Sequence, residues 1–272
     1  MHNFKDKVVV ITGAGSGIGR ALAMTYAGYG AVLHLVDIDR ERIASTGRDA
    51  AASGVRITTH VLDCSVARNM ESLAKEVLEK EGRVDVLHNN AGILVAGPVH
   101  EISPDGWNRI VDVNLWSAVH GIRAFVPIMM EQGGGIIVNT ASIAGLYAFP
   151  FVSPYSMTKA ALVGLSEALD IELSAHGIRV LAVCPSAVKT NVLRDGRMSL
   201  PGKWGQRFIE LMEKYAPGPE KTAMDIVSAV QKEQPLWIGI SGKPLWWLKR
   251  LTPGLYSLVF KLLVKKAISG ND

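Results

Sequence analysis

The stretch from Lys7 to Ala23, KVVVITGAGSGIGRALA, constrains the fold most. An apolar, β-branched run of strand length passes through Gly13, Gly15, Gly17 and Gly19 straight into a segment of helical period. Glycines after a strand can be a bare turn. Between a strand and a helix they also let the backbone approach a pyrophosphate, whose charge the helix N-terminus stabilises. The reading adopted is dinucleotide binding, with Gly13, Ser16, Gly17, Ile18 and Gly19 as contacts.

The rest of the chain repeats the alternation. Candidate strands start at Lys7, Ala31, Val55, Val84, Gly135, Ile178 and Leu236, and helical segments span Ile18 to Tyr29, Asn69 to Glu81, Trp107 to Glu131 and Pro154 to His176. Strand and helix in regular succession predict an α/β, Rossmann-like, doubly wound parallel sheet of about seven strands with helices on both faces. Nearly continuous apolar strands agree, because a sheet covered on both sides has no polar face. One catalytic domain is expected over residues 1–240, with a substrate loop at about 186–215, and a helical extension over residues 241–272.

Asp37 ends the second candidate strand, about 20 residues beyond the glycines. An acid there accepts hydrogen bonds from ribose hydroxyls and repels a 2′-phosphate, which favours NAD over NADP. Arg20 and Arg40 are close enough in sequence to keep NADP as the less favoured alternative.

At this point the chain resembles the short-chain dehydrogenase/reductase family, to about residue 240. Its T-G-x-x-x-G-x-G motif is matched by Thr12, Gly13, Gly17 and Gly19, and its N-N-A-G by Asn89, Asn90, Ala91 and Gly92. The resemblance implies that Asn90, Ala91 and Gly92 flank the adenosine half of a dinucleotide and that Asp63, with Cys64 beside it, contacts the adenine. It further implies a catalytic tetrad of Asn114, Ser142, Tyr155 and Lys159. A phenol with a pKa near ~10 is a poor base at neutral pH, and an ammonium one helical turn away favours the phenolate. Tyr155 would exchange the proton of an alcohol or carbonyl, Ser142 would orient the substrate oxygen, Lys159 would act on Tyr155 and reach the nicotinamide ribose, and Asn114 would hold a relay water. In CPSAVKTNV, Pro185, Val188 and Thr190 match a further cofactor motif. Ser186 replaces its glycine, so an altered loop is expected, since serine tolerates positive φ less well.

Other readings are bland. Cys64 and Cys184 have no paired spacing and the seven histidines no ligand spacing, so neither disulfides nor a metal are expected. Cys184 reads as inert packing and Cys64 as partly exposed. No serine sits in a G-x-S-x-G elbow that would make Ser142 a nucleophile. Residues 235–272 hold six Lys/Arg and one acid, leaving 23 basic and 24 acidic residues before them. Nucleic acid is therefore not an expected partner. A cytoplasmic location is expected. In the tail, Leu255, Leu258, Val259, Leu262 and Leu263 recur at helical spacing. Three readings stay open: packing on the fold or a partner subunit, peripheral contact with an anionic membrane, or a lid over the pocket.

Leu94, Tyr147, Phe149 and Val192 are the candidate substrate contacts, with Val95, Leu146, Phe151 and Leu193 nearby. Their apolar character favours a lipophilic secondary alcohol or ketone. An NADPH-dependent ketoacyl or carbonyl reductase is the enzymatic alternative, and a catalytically silent nucleotide-binding scaffold the alternative of another class. The resemblance also implies a homodimer or homotetramer, paired through the helices from about Trp107 and Pro154.

Overall fold

The computed structural model describes residues 4–189, 197–198, 210, 216–239 and 242–269. The strands are β1 (Val8–Thr12), β2 (Val32–Asp37), β3 (Ile57–Val61), β4 (Val86–Asn89), β5 (Val95–Ala96), β6 (Gly135–Thr140), β7 (Ile178–Cys184), β8 (Arg197–Met198) and β9 (Leu236–Ile238). Seven of them form one sheet in the order β3-β2-β1-β4-β6-β7-β9, and β5 pairs with β8 separately. Every pairing is parallel. The expected doubly wound, seven-stranded sheet is therefore present. Strand order reverses between β1 and β4, and the carboxyl ends there open the crevice where such sheets place ligands.

The helices are α1 (Gly17–Gly28), α2 (Arg40–Ala51), α3 (Ala67–Glu81), α4 (Pro104–Val111), α5 (Ser117–Glu131), α6 (Ile143–Leu146), α7 (Ser153–Glu172), α8 (Pro219–Gln231), α9 (Lys243–Leu251) and α10 (Pro253–Ser269). One face of the sheet buries Leu22 and Tyr26 of α1, Ile43 of α2, and Ile226 and Val230 of α8. The other buries Met70, Leu73 and Val77 of α3 and Phe125 and Met129 of α5, with Leu165 and Leu169 of α7 packed against them. Helix α2 had no counterpart among the expected segments. Asp39 caps it, its carboxylate accepting from the Glu41 and Arg42 amides at 3.0 Å each.

The single helix expected from Trp107 begins earlier, at Pro104 after the Ser103 cap, and is interrupted by a π turn over Asp112–Trp116. The Ser117 amide reaches back five residues to the Asp112 carbonyl. Such turns insert one extra residue into a helix and re-aim its side chains. This one carries Asn114.

Three buried histidines make a pH prediction. His34 and His60 face each other, Nδ1 to Nε2 at 3.0 Å, with Glu81 3.4 Å from His34 and Glu76 3.6 Å from His60. His88 is fully buried against the Tyr26 hydroxyl at 2.8 Å. Burial lowers all three pKa values, that of His88 to about 3. The folded chain thus holds these imidazoles neutral, while the unfolded chain protonates them below their ordinary value near ~6.5. Stability is fully present above that pH and is lost as pH falls toward the folded values. His88 alone adds a slope of about 1.4 kcal/mol per pH unit. Urea midpoints should fall steadily from pH 7 to pH 4, and His88→Gln should remove about one proton from the slope.

Candidate active site

A cleft of about 1040 Å³ runs along the carboxyl ends of the central strands. At one end lie Gly13, Ser16, Gly17 and Ile18, with Asp37 at the tip of β2 and Asp63 and Cys64 after β3. Gly13 has φ 65°, and a Cβ there would lie 2.8 Å from the Ala91 Cα. The loop can therefore press against the segment after β4 only as glycine. Gly19 does not line the cleft. It packs beneath the loop, where a Cβ would collide with the Gly13 carbonyl.

Two features fit an anionic, ribose-bearing ligand at this end. Ser16 precedes α1 but makes no capping hydrogen bond, and the first turn of α1 contains no acid. The amides at that N-terminus are thus left for an anion. Asp37 is held by its own loop, one oxygen accepting from the Gly15 amide at 2.8 Å and the other from the Asp39 amide at 3.0 Å. Arg20 instead pairs with Asp49 at 2.8 Å, and Arg40 is not among the cleft residues. A cation that does line the cleft is Arg42, 3.2 Å from Asp39. Sequence reasoning missed it because α2 was not expected.

Asn90, Ala91 and Gly92 follow β4 and also line the cleft. Thr12 ties them to β1: its hydroxyl accepts from the Asn90 and Ala91 amides at 2.9 and 3.1 Å and donates to the His88 carbonyl at 3.2 Å. Asn89 stays in the core, donating to the Asn139 carboxamide oxygen at 2.9 Å, while the Asn139 amide donates to Ser166 at 2.9 Å. This buried polar ladder fixes the strand register beneath the site.

Toward the other end Ser142, Tyr155 and Lys159 converge on the cleft. Ser142 leaves β6 as the cap of α6, its hydroxyl accepting from the Ala144 amide at 3.1 Å. The Lys159 ammonium is buried, donates to the Thr140 carbonyl at 2.7 Å and stands 5.6 Å from the centre of the Tyr155 ring. Burial lowers its pKa to about 8. Burial raises the Tyr155 pKa, and hydrogen bonding with Ser142 opposes the rise. Desolvation thus outweighs the Ser142 hydrogen bond, and Lys159 is not among the groups that lower this pKa.

The Asn114 side chain is buried and does not line the cleft. Its oxygen accepts from the Ile93 amide at 2.7 Å, and its amide donates to the Ile93 carbonyl at 3.0 Å and to Thr158 at 3.2 Å. Both donors are spent on the chain, so the side chain clamps the strand end opposite Tyr155. Gly92 lies between this carboxamide and Lys159, a Cβ there falling 3.4 Å from the Asn114 oxygen and 3.4 Å from the Lys159 nitrogen.

Pro185, Ser186 and Val188 complete the wall. Among the described non-glycine residues only Asp6, Phe151 and Glu233 have positive φ, so the turn at Ser186 does not demand the conformation that serine tolerates poorly. Thr190, Val192 and Leu193, with most of the expected substrate loop, lie outside the described residues. Both cysteines are buried and burial pushes both thiols up to about 12, which corrects the expectation of a partly exposed Cys64.

Of the substrate candidates, Leu94 and Phe149 line the cleft, whereas Tyr147 is 2% exposed and packs behind Phe149 with ring centres 5.2 Å apart. The tail supplies two residues that sequence reasoning did not place there, Phe260 and Leu263 of α10. The Lys249 ammonium donates to the Leu146 carbonyl at 2.7 Å, the Tyr256 hydroxyl to the Ala148 carbonyl at 2.5 Å, and Phe260 meets Phe149 with ring centres 5.9 Å apart. The extension packs on its own fold and walls the cleft.

Comparison with known proteins agrees with this geometry. Residues 7–199 match the family described as short chain dehydrogenase. SadH of Mycobacterium tuberculosis is 37% identical over 261 residues, covering 94% of each chain. The meso-2,3-butanediol dehydrogenase of Serratia marcescens is 38% identical over 205 residues, 75% of this chain and 80% of that one. Among solved structures, a short chain dehydrogenase/reductase from Burkholderia phymatum in complex with NAD superposes with a TM-score of 0.87 at 30% identity, over 94% of this chain and 96% of that one.

Proposed function

The chain belongs to the short-chain dehydrogenase family, and on that premise we propose that it is an NAD(H)-dependent oxidoreductase interconverting a lipophilic secondary alcohol and its ketone. The observation that carries the reading is the convergence of Ser142, Tyr155 and Lys159 on a cleft whose other end is a glycine loop with a free helix N-terminus. Gly13, Ser16, Gly17 and Ile18 would hold the pyrophosphate of a nicotinamide dinucleotide, Asp37 its adenosine ribose, and Asp63 with Cys64 its adenine. Asn90, Ala91 and Gly92 would flank its adenosine half, and Pro185, Val188 and Thr190 its carboxamide end. When bound, that cofactor accepts or donates the hydride.

The chain's own part is proton and position. Tyr155 takes the alcohol proton in oxidation and returns one to the carbonyl oxygen in reduction. Ser142 hydrogen-bonds that same oxygen. Lys159 places a cation beside the phenol and can reach a ribose. Asn114 acts as a positioning residue through Ile93, and a relay water there would have to donate to a carbonyl oxygen, because both Asn114 N–H donors are already spent. The substrate end of the cleft is apolar, with Leu94, Ile143, Phe149 and Phe260 among its walls, which supports an uncharged, lipophilic substrate. Trp116 and Met130 at the ends of α5 and Met157 and Ile171 on α7 leave large apolar side chains exposed, which supports a homo-oligomer.

A panel of secondary alcohols and ketones, each offered with NAD(H) and NADP(H) and followed by nicotinamide absorbance, tests the reading. No turnover across the panel would sink it. A pH series adds a direction. Oxidation needs the phenolate and reduction the phenol, and burial keeps that phenol protonated, so oxidation should rise from pH 7 to pH 10 with a limiting slope of about one proton while reduction loses nothing to phenol ionisation over that range. Equal profiles for both directions would remove Tyr155 from the proton step.

A further inference from the structure

Helix α10 has two apolar faces, and the cleft uses only one. Tyr256, Phe260 and Leu263 follow one another at helical spacing toward Ala148, Phe149 and the cleft. Leu255, Leu258 and Leu262 form a second stripe, 50%, 54% and 58% exposed, and on α9 Trp247 and Leu251 are 50% and 71% exposed. All five large side chains are at least half exposed, Trp247 even though its ring meets Trp246 with centres 4.8 Å apart, and together they leave open far more apolar surface than singly scattered residues would.

Charge indicates what covers them. Lys261 and Lys265, both exposed, flank the stripe one turn apart, and the sequence from Lys243 to Ser269 contains no acid. A two-fold contact between copies would bring two cationic faces together. An anionic lipid surface instead meets both requirements, burying the leucines below its headgroups and drawing in the lysines. Leu263 lines the cleft and is still 53% exposed, so it stands at the mouth, beside the stripe. No helix is long and apolar enough to cross a membrane among the described residues, so contact would be peripheral.

We propose that α9 and α10 dock this protein on an anionic lipid surface with the cleft mouth facing the bilayer, so that substrate enters from the lipid phase. The docking stands independently of the reaction; the entry of a lipophilic alcohol or ketone rests on the function proposed above.

Flotation of the full chain with phosphatidylglycerol and with phosphatidylcholine vesicles tests the docking. The chain should float with the anionic vesicles only and be released by high salt. Leu255→Ser/Leu258→Ser/Leu262→Ser should lower partition by about tenfold or more. Lys261→Gln and Lys265→Gln should each lower it about fivefold. All variants should keep the parent's sedimentation mass. Equal partition into both lipids, no partition into either, or a triple variant that floats like the parent overturns the proposal. A triple variant that breaks a larger oligomer also overturns it, since the stripe would then be a subunit interface. A second arm compares oxidation of a long-chain secondary alcohol supplied in vesicles with that of a short water-soluble one. The triple variant should lose about tenfold on the first, in line with its partition, and nothing on the second. Docking without turnover of either alcohol would fault the proposed reaction and leave the docking intact.

Discussion

Tyr155→Phe is expected to lower turnover by about 10²- to 10⁴-fold in both directions, with dinucleotide affinity and thermal stability essentially unchanged. Phenylalanine keeps the ring and its packing and removes only the hydroxyl. Among the described residues, none of the three polar groups nearest in role can take over its proton. The Ser142 hydroxyl is a far weaker acid than a phenol, and Cys184, pushed up to about 12, is fully buried. The Lys159 ammonium is engaged by the Thr140 carbonyl, 2.7 Å away. Steady-state rates with the best substrate of the panel, together with a dinucleotide titration, read the effect. A variant that retains parental turnover while still binding dinucleotide would show that the phenol does not handle the proton.

The second large effect is expected at Asp37. Removing its charge should lower kcat/KM with NAD by about 10- to 100-fold, the range for hydrogen bonds to a charged group. It should also raise kcat/KM with NADP, because a carboxylate no longer faces the 2′-phosphate. The informative variant is Asp37→Asn. It keeps one oxygen to accept from the Gly15 amide, now 2.8 Å from the carboxylate, so the glycine loop stays braced while the charge goes, and only the bond from the Asp39 amide is given up. An unchanged NAD to NADP ratio would reduce Asp37 to a brace for the glycine loop. Arg42 adds a second handle, since it lies on the same wall and its partner Asp39 is 3.2 Å away. Adding Arg42→Ala to Asp37→Asn should cancel much of the gain with NADP while leaving NAD kinetics near those of the single variant.

The parallel sheet, the glycine loop, Asp37 and the Ser142, Tyr155 and Lys159 set were all legible along the chain. Each is a local pattern: a period of two or 3.6, a strand-to-helix junction, or a spacing of one helical turn that places two side chains on one face. Their order along alternating strands and helices then assigns them to one edge of the sheet, because right-handed crossovers leave few ways to wind it. The consequence of a serine at position 186 depends on the turn that forms around it. Residue type constrains φ only where the turn demands a positive value, and the turn that forms here does not.

What the chain order could not convey lies between residues far apart in it. Periodicity states that α10 is apolar and not what it covers. Only the packed structure brings Tyr256 to Ala148 and Lys249 to Leu146, across 108 and 103 residues. The same packing turns Tyr147 into the core and puts Phe260 and Leu263 on the cleft. Asn114 was expected from the sequence to hold a relay water, yet the π turn and its clamp on Ile93 decide that it holds backbone and does not line the cleft. The sequence by itself therefore determined the fold and the groups proposed to react, whose geometry follows from local backbone periods and loop order. Tertiary structure alone decided which apolar residues wall the cleft, which cation stands beside Asp37 and which apolar stripe of α10 stays exposed. Each depends on which of several apolar or charged faces finds a partner, and that choice is made by packing over the whole chain.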